Sequence, residues 1–191
     1  MFHRRQFLTT ALASGLAAPA LLAATRPAAA VEAAPILAPR RVGISKAHAA
    51  GSIVILPRAY FLYHVTAPGE AMRYGIAVAR PGLGFTGKAV IGRKVEWPSW
   101  RPTPDMIARD PNIYGKYAGN SDRMPGGPRN PLGARALYLY QDGRDTAIRI
   151  HGTTEPRSIG RNASSGCFRM LNENVIALYE QVPIGTPVTV L

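Results

Sequence analysis

Four short runs rich in β-branched and aromatic residues follow one another with Pro- and Gly-containing breaks between them: SIVIL (52–56), AYFLYHV (59–65), AMRYGIAVA (71–79) and KAVIGRKVEW (88–97). Runs this short cannot bury themselves as helices and need strand partners, so a mainly β domain is predicted. Ala67-Pro68-Gly69 closes a hairpin between the second and third. ARALYLY (134–140) and TAIRIHG (146–152) flank Asp142-Gly143, a further hairpin signal, and TPVTVL supplies a last strand. Alternation along TAIRIHG puts Ile148 and Ile150 on one face and Arg149 and His151 on the other, with His151 at a strand end off the core face. One helix is predicted after Asn172, which is placed to cap it; Val175, Ile176, Tyr179 and Val182 keep helical spacing, and Pro183 and Gly185 stop it. Pro98 to Gly133 is irregular apart from a helical turn around Asp105 to Arg109, and a loop of that length in a small domain points to function.

A chain of 191 residues suits one domain with a real core. Its first thirty residues have the layout of an export signal: paired Arg4 and Arg5, then Phe7 and Leu8, an Ala/Leu-rich run, and small residues up to Ala30. The run is too short and too alanine-rich for a permanent membrane span. The arginine pair resembles a twin-arginine signal, with the Sec route as the alternative. The expected organisation is a leader over 1–30, an Ala/Pro-rich arm over 31–50, and one folded domain over 51–191. The expected location is the periplasm or cell wall. Net charge is +12, and loss of residues 1–30 would remove three arginines and no acid, so the domain stays basic. Such a field favours anionic partners. Those include nucleic acid, lipid headgroups and a carboxylate-bearing cell wall; export and the lack of a nucleic-acid motif argue against nucleic acid.

The stretch HGTTEPRSIGRNASSGCFRM (151–170) holds the only cysteine, Cys167, sixteen residues after His151. A lone cysteine cannot form an internal disulfide; it is either buried filler or a thiol kept for use. Ser164, Ser165 and Gly166 suit a tight turn that exposes sulfur and backbone amides better than they suit a core. A nearby base or cation makes such a thiol nucleophilic, and the candidates are His151, Arg169 and the helix start near Asn172. His151 can both take and return a proton. The other histidines lie in the leader (His3), the arm (His48) and a strand (His64). Gly152 lets the backbone turn, and the amides of Gly166, Cys167 or Phe168 are candidate oxyanion donors. Glu155 is near His151 in sequence but does not stand out as a third triad member. One cysteine and one usable histidine fall short of a metal site, and no cofactor is called for.

His151-Gly152-Thr153 followed by Ser164-Ser165-Gly166-Cys167-Phe168-Arg169-Met170 closely resembles the signature of the L,D-transpeptidase (YkuD-type) catalytic domain. The resemblance extends from about Gly51 through MPGGPRNPLGARALYL (124–139) to the helix after the cysteine. It implies a β-sandwich of mixed sheets with one or two short helices. By position it implies Cys167 as nucleophile, His151 as general base, the Gly152 carbonyl as its orienter, and Arg169 as support for the site or for a substrate carboxylate. Ser165 stands where many members have a second histidine. The implied reaction is acyl transfer on peptidoglycan stem peptides: a Cys167 thioester forms as D-Ala leaves, and an amine acceptor, on a second stem or a protein, takes the acyl group. Hydrolysis of the same thioester, as in an L,D-carboxypeptidase, and a non-catalytic wall-binding domain are the competing readings.

Overall fold

The computed structural model describes residues 37–191; the leader and the start of the arm lie outside the described residues. In chain order the elements are β1 (Arg40–Gly43), β2 (Ile53–Leu56), β3 (Phe61–Ala67), β4 (Glu70–Gly75), β5 (Val78–Ala79), β6 (Gly87–Glu96), α1 (Pro104–Arg109), α2 (Pro111–Tyr114), β7 (Arg135–Gln141), β8 (Arg144–His151), β9 (Asn162–Ser164), β10 (Phe168–Arg169), α3 (Asn172–Gln181) and β11 (Pro187–Val190).

Nine strands form one mixed sheet in the order β1-β4-β3-β2-β11-β6-β7-β8-β10, and β5 pairs with β9. β11 runs parallel to β2 and antiparallel to β6, and β10 runs parallel to β8. Laid flat, nine strands would span ~40 Å. Instead Ile53, Leu62, Tyr74, Ile91, Leu137, Ile150, Phe168 and Val188, from eight strands, share one buried cluster with Val175 and Leu178 of α3. The far edge turns back on the near side: Arg169 in β10 exchanges two 2.9 Å backbone hydrogen bonds with Ala77, two residues beyond β4. The sheet is therefore doubled over its own core, the mainly β, mixed-sheet fold with few short helices that the sequence predicts.

Local differences have local causes. Arg40–Gly43, within the predicted arm, pairs with β4 as an edge strand. The predicted 71–79 strand breaks at Gly75, where a Cβ would collide with the backbone of Leu37. The hairpin after Ala67 turns on Gly69, whose φ of +85° suits glycine. Thr103 caps α1 by accepting a hydrogen bond from the Met106 N–H at 3.3 Å. Asn172 does not cap α3: Leu171 holds that position, and the Asn172 side chain turns elsewhere. The buried face of α3 is Val175 and Leu178, continued by Val182, while Ile176 and Tyr179 are half-buried.

Candidate active site

The pairing of β8 with β10 places the motif residues. Phe168 lies beside Ile150 and Arg169 beside His151. Ile150 and Phe168 are core residues, so their neighbours in each strand face the other way. Cys167 falls two residues before Arg169 and thus beside Arg149, one diagonal step from His151. That step is ~8 Å between α-carbons, a gap that a cysteine and a histidine side chain span together.

His151 is off the core face, as predicted, yet only 4% exposed. Its Nδ1 lies 2.6 Å from the Gly152 carbonyl oxygen. A carbonyl only accepts, so Nδ1 carries the proton and the lone pair of the neutral ring is on Nε2. Burial lowers the His151 pKa to about 4; the Gly152 and Leu132 carbonyls oppose that shift, and the charges of Arg169 and Arg149 reinforce it. Cys167 is half-buried, with Sγ 3.8 Å from the Ala147 carbonyl oxygen. Burial pushes its thiol up, against the Arg149 N–H and the Arg149 and Arg169 charges, and Asp145 adds to the rise. At neutral pH the pair is therefore thiol and neutral imidazole.

The turn before the cysteine is built on Ser164. Its hydroxyl donates to the Cys167 carbonyl at 2.5 Å and accepts from the Gly166 N–H at 3.2 Å. Gly166 has φ +139°, and a Cβ there would press on Ile148 at 2.9 Å. The Gly166 N–H is thus occupied within the turn. The Phe168 side chain is 2% exposed in the core, so only its backbone faces the site's chemistry. Ser165 accepts a hydrogen bond from Arg109 of α1 at 3.0 Å, which ties the long 98–133 segment to the turn before Cys167.

Arg169 holds Glu155 at 2.7 Å, so this acid pairs with the motif arginine and not with His151. Arg149 holds Asp145 through two contacts, 2.7 and 2.9 Å. Asn172 escaped the sequence reading as a site residue. Its Oδ1 accepts from the Ala134 N–H (3.0 Å) and the Thr153 N–H (3.2 Å), and its Nδ2 donates to the Thr153 carbonyl at 3.2 Å. A Cβ on Gly133 or Gly152 would strike that Oδ1. The asparagine thus clamps the residues after His151 to the strand beside it. A glycine immediately before each of its partners, Gly133 before Ala134 and Gly152 before Thr153, was the available signal. Among the described residues no cluster of metal-ligating side chains occurs, and no helix is long and apolar enough to cross a membrane.

Residues 50–190 match the family model of the L,D-transpeptidase catalytic domain, YkuD. The L,D-transpeptidase homologue from the ATP synthase subunits region of Fuscovulum blasticum is 43% identical over 105 residues, covering 55% of this chain and 49% of that protein. The chain spans about half the length, or less, of the curated relatives it matches. A crystal structure from Brucella melitensis, named as a carnitine operon oxidoreductase, is 52% identical with a TM-score of 0.56, over 83% of this chain and 96% of that one. An L,D-transpeptidase from Mycobacterium smegmatis shares the fold at 17% identity, with a TM-score of 0.53 over 73% of this chain and 57% of that one. With the paired motif on one sheet face and the family model covering most of its length, the chain belongs to the L,D-transpeptidase (YkuD) catalytic-domain family.

Proposed function

We propose that this protein is an exported L,D-transpeptidase that works on peptidoglycan stem peptides through a Cys167 thioester. The observation that carries the reading is the placement of Cys167 one diagonal step from a neutral His151, on the same sheet face, with Nδ1 of the imidazole committed to the Gly152 carbonyl. That arrangement leaves Nε2 to receive a proton as sulfur attacks.

In the first half-reaction the Cys167 thiol passes its proton to His151 Nε2 while Sγ bonds to the carbonyl carbon of the third stem residue. The oxyanion forms beside the Cys167 N–H, since the Gly166 N–H is held by Ser164. Collapse breaks the C–N bond, and His151 returns the proton to the departing D-Ala amine. In the second half an acceptor amine attacks the thioester carbonyl and gives its proton to His151. The new amide forms and the thiol is regenerated. An amine from a second stem gives a 3→3 crosslink; water gives hydrolysis. The net positive charge of the chain supports an anionic substrate, and the leader-like N-terminus fits a wall location.

The oxidoreductase name of the Brucella protein is not carried over. The spacing Gly82-x-Gly84-x-x-Gly87 in this chain runs into a strand, β6, whereas a dinucleotide fingerprint needs the N-terminus of a helix for its pyrophosphate.

The test is incubation with purified sacculi, with and without an added amine acceptor, and mass analysis of the released muropeptides. Crosslinked dimers or acceptor adducts are expected from the wild-type protein and none from Cys167→Ala. Tripeptides alone would replace transfer by hydrolysis, and unchanged products from the variant would overturn the mechanism.

A further inference from the structure

One row of side chains crosses four strands on the site's face of the sheet. Arg93 in β6 is registered with Tyr138 in β7, Tyr138 with Arg149 in β8, and Arg149 lies beside Cys167 at the start of β10. The Tyr138 ring receives both guanidinium groups: Arg149 Cζ is 4.1 Å from its centroid and Arg93 Cζ 5.0 Å. The nucleophile thus stands at one end of an ordered cationic row, and Arg93 at the other.

Arg93 reaches this face through a bulge. Ile91 pairs with Leu139 inside the core, and the next pair is Arg93 with Tyr138, so Gly92 is the extra residue. A side chain at 92 is excluded, because a Cβ there would enter the Tyr140 ring. Bulges beside active sites commonly re-aim one side chain, and here the side chain re-aimed is an exposed arginine.

The three arginines of the site differ in what they hold. Arg149 is paired with Asp145 and Arg169 with Glu155. Among the described residues Arg93 has no carboxylate within ion-pair distance. Of the three, it is the one with charge to give to a ligand.

We propose that Arg93 binds a free carboxylate on the stem residue that precedes the scissile one, and that it selects stems in which this group is not amidated. This rests on the function proposed above. Three strand spacings separate Arg93 from Cys167, about 14 Å between α-carbons. In a residue joined onward through its side-chain carboxyl, the free α-carboxylate lies on the order of 8 Å from the next carbonyl. The long arginine side chain, lying over Tyr138 toward the cysteine, closes the difference. The carboxylate-binding role that the family resemblance offers to Arg169 passes to Arg93, since Arg169 is already engaged.

The experiment uses two synthetic tetrapeptide stems that differ only in a carboxylate or a carboxamide at the second residue. Binding is measured by calorimetry to Cys167→Ala and to Cys167→Ala with Arg93→Gln, and turnover is measured in the wild type and in Arg93→Gln. The carboxylate stem should bind at least about tenfold more tightly than the amide to Cys167→Ala, and Arg93→Gln should erase that preference. In turnover, Arg93→Gln should raise KM for the carboxylate stem alone, with kcat little changed. A preference that survives Arg93→Gln, equal losses with both stems, or no preference at the outset would each overturn the assignment. Failure of the transpeptidase reading shows differently, as intact stems with the wild type while the binding preference persists.

Discussion

The sulfur of Cys167 lies 3.8 Å from the carbonyl oxygen of Ala147, a residue held in the left-handed region at φ 60°. Ala147 falls in the irregularity between the pairs Tyr138–Arg149 and Tyr140–Asp145, where β8 carries more residues than β7. The strained backbone turns a carbonyl toward Cys167 instead of into the ladder. A carbonyl beside a thiol disfavours the thiolate and accepts the S–H, which agrees with a cysteine that stays protonated until substrate arrives.

Ala147→Gly should relieve the left-handed strain, and thermal unfolding should show stability unchanged or raised by up to ~1 kcal/mol. Ala147→Val should lower stability by ~1–3 kcal/mol, because a β-branched residue fits that region poorly. Equal melting temperatures for the two variants would contradict this account.

Burial separates the pKa values of His151 and Cys167, holding His151 down at about 4 and Cys167 above its usual value. The acid limb of kcat/KM should therefore lie near pH 4, well below that of an ordinary imidazole. Alkylation of Cys167 by iodoacetamide should keep rising above pH 9. A rate plateau near neutrality would instead mark a thiolate–imidazolium pair.

Burial holds His64 as well as His151 below 6.5 in the folded state. As pH falls below that value the unfolded chain binds more protons than the folded one, so stability declines. Their contribution is complete above about pH 6.5 and is lost as pH falls through the folded values, about 4 for His151. Denaturant midpoints should fall from pH 7 to pH 5, and His64→Leu should remove part of that slope.

Asn172→Ala leaves the amides of Ala134 and Thr153 and the Thr153 carbonyl without their side-chain partner. A loss of about 2 kcal/mol or more is expected from denaturant unfolding. On the proposed mechanism kcat should fall with it, since Gly152, whose carbonyl holds His151 Nδ1, lies against that side chain. Asn172→Asp keeps the accepting oxygen and should retain more of both.

Glu155 is exposed and paired with Arg169, so Glu155→Gln should cost less than ~1 kcal/mol and leave the acid limb of the pH profile in place. A limb moved by this variant would make Glu155 a partner of the base.

Much of this architecture was legible in local pattern. The runs that became β2, β3, β6, β7, β8 and β11 carry their own β-branched and aromatic signal, and the α3 helix and the Cys167 and His151 motif stood out by spacing. What local pattern does not encode is which strands meet. β5, β9 and β10 are two or three residues long and exist only through their partners, and β1 hides in an Ala/Pro-rich arm because its signal is the β4 edge it covers. Asn172 looked like a helix cap because capping and clamping use the same amide. Arg93 was invisible for a similar reason: in an alternating strand it belongs to the core face, and only the extra residue at Gly92 moves it across.

β1 has a consequence for solubility. An uncovered β4 would present a row of unpaired N–H and C=O groups, an adhesive margin for a second copy of the chain. Arg40–Gly43 seals that margin, and it sets Arg40 opposite Arg73 so that the outermost strand is itself positively charged and repels its like. The family match begins at residue 50, downstream of this strand. A chain trimmed to that boundary would keep Cys167 and His151 and lose the guard on its sheet, and so would be prone to self-association.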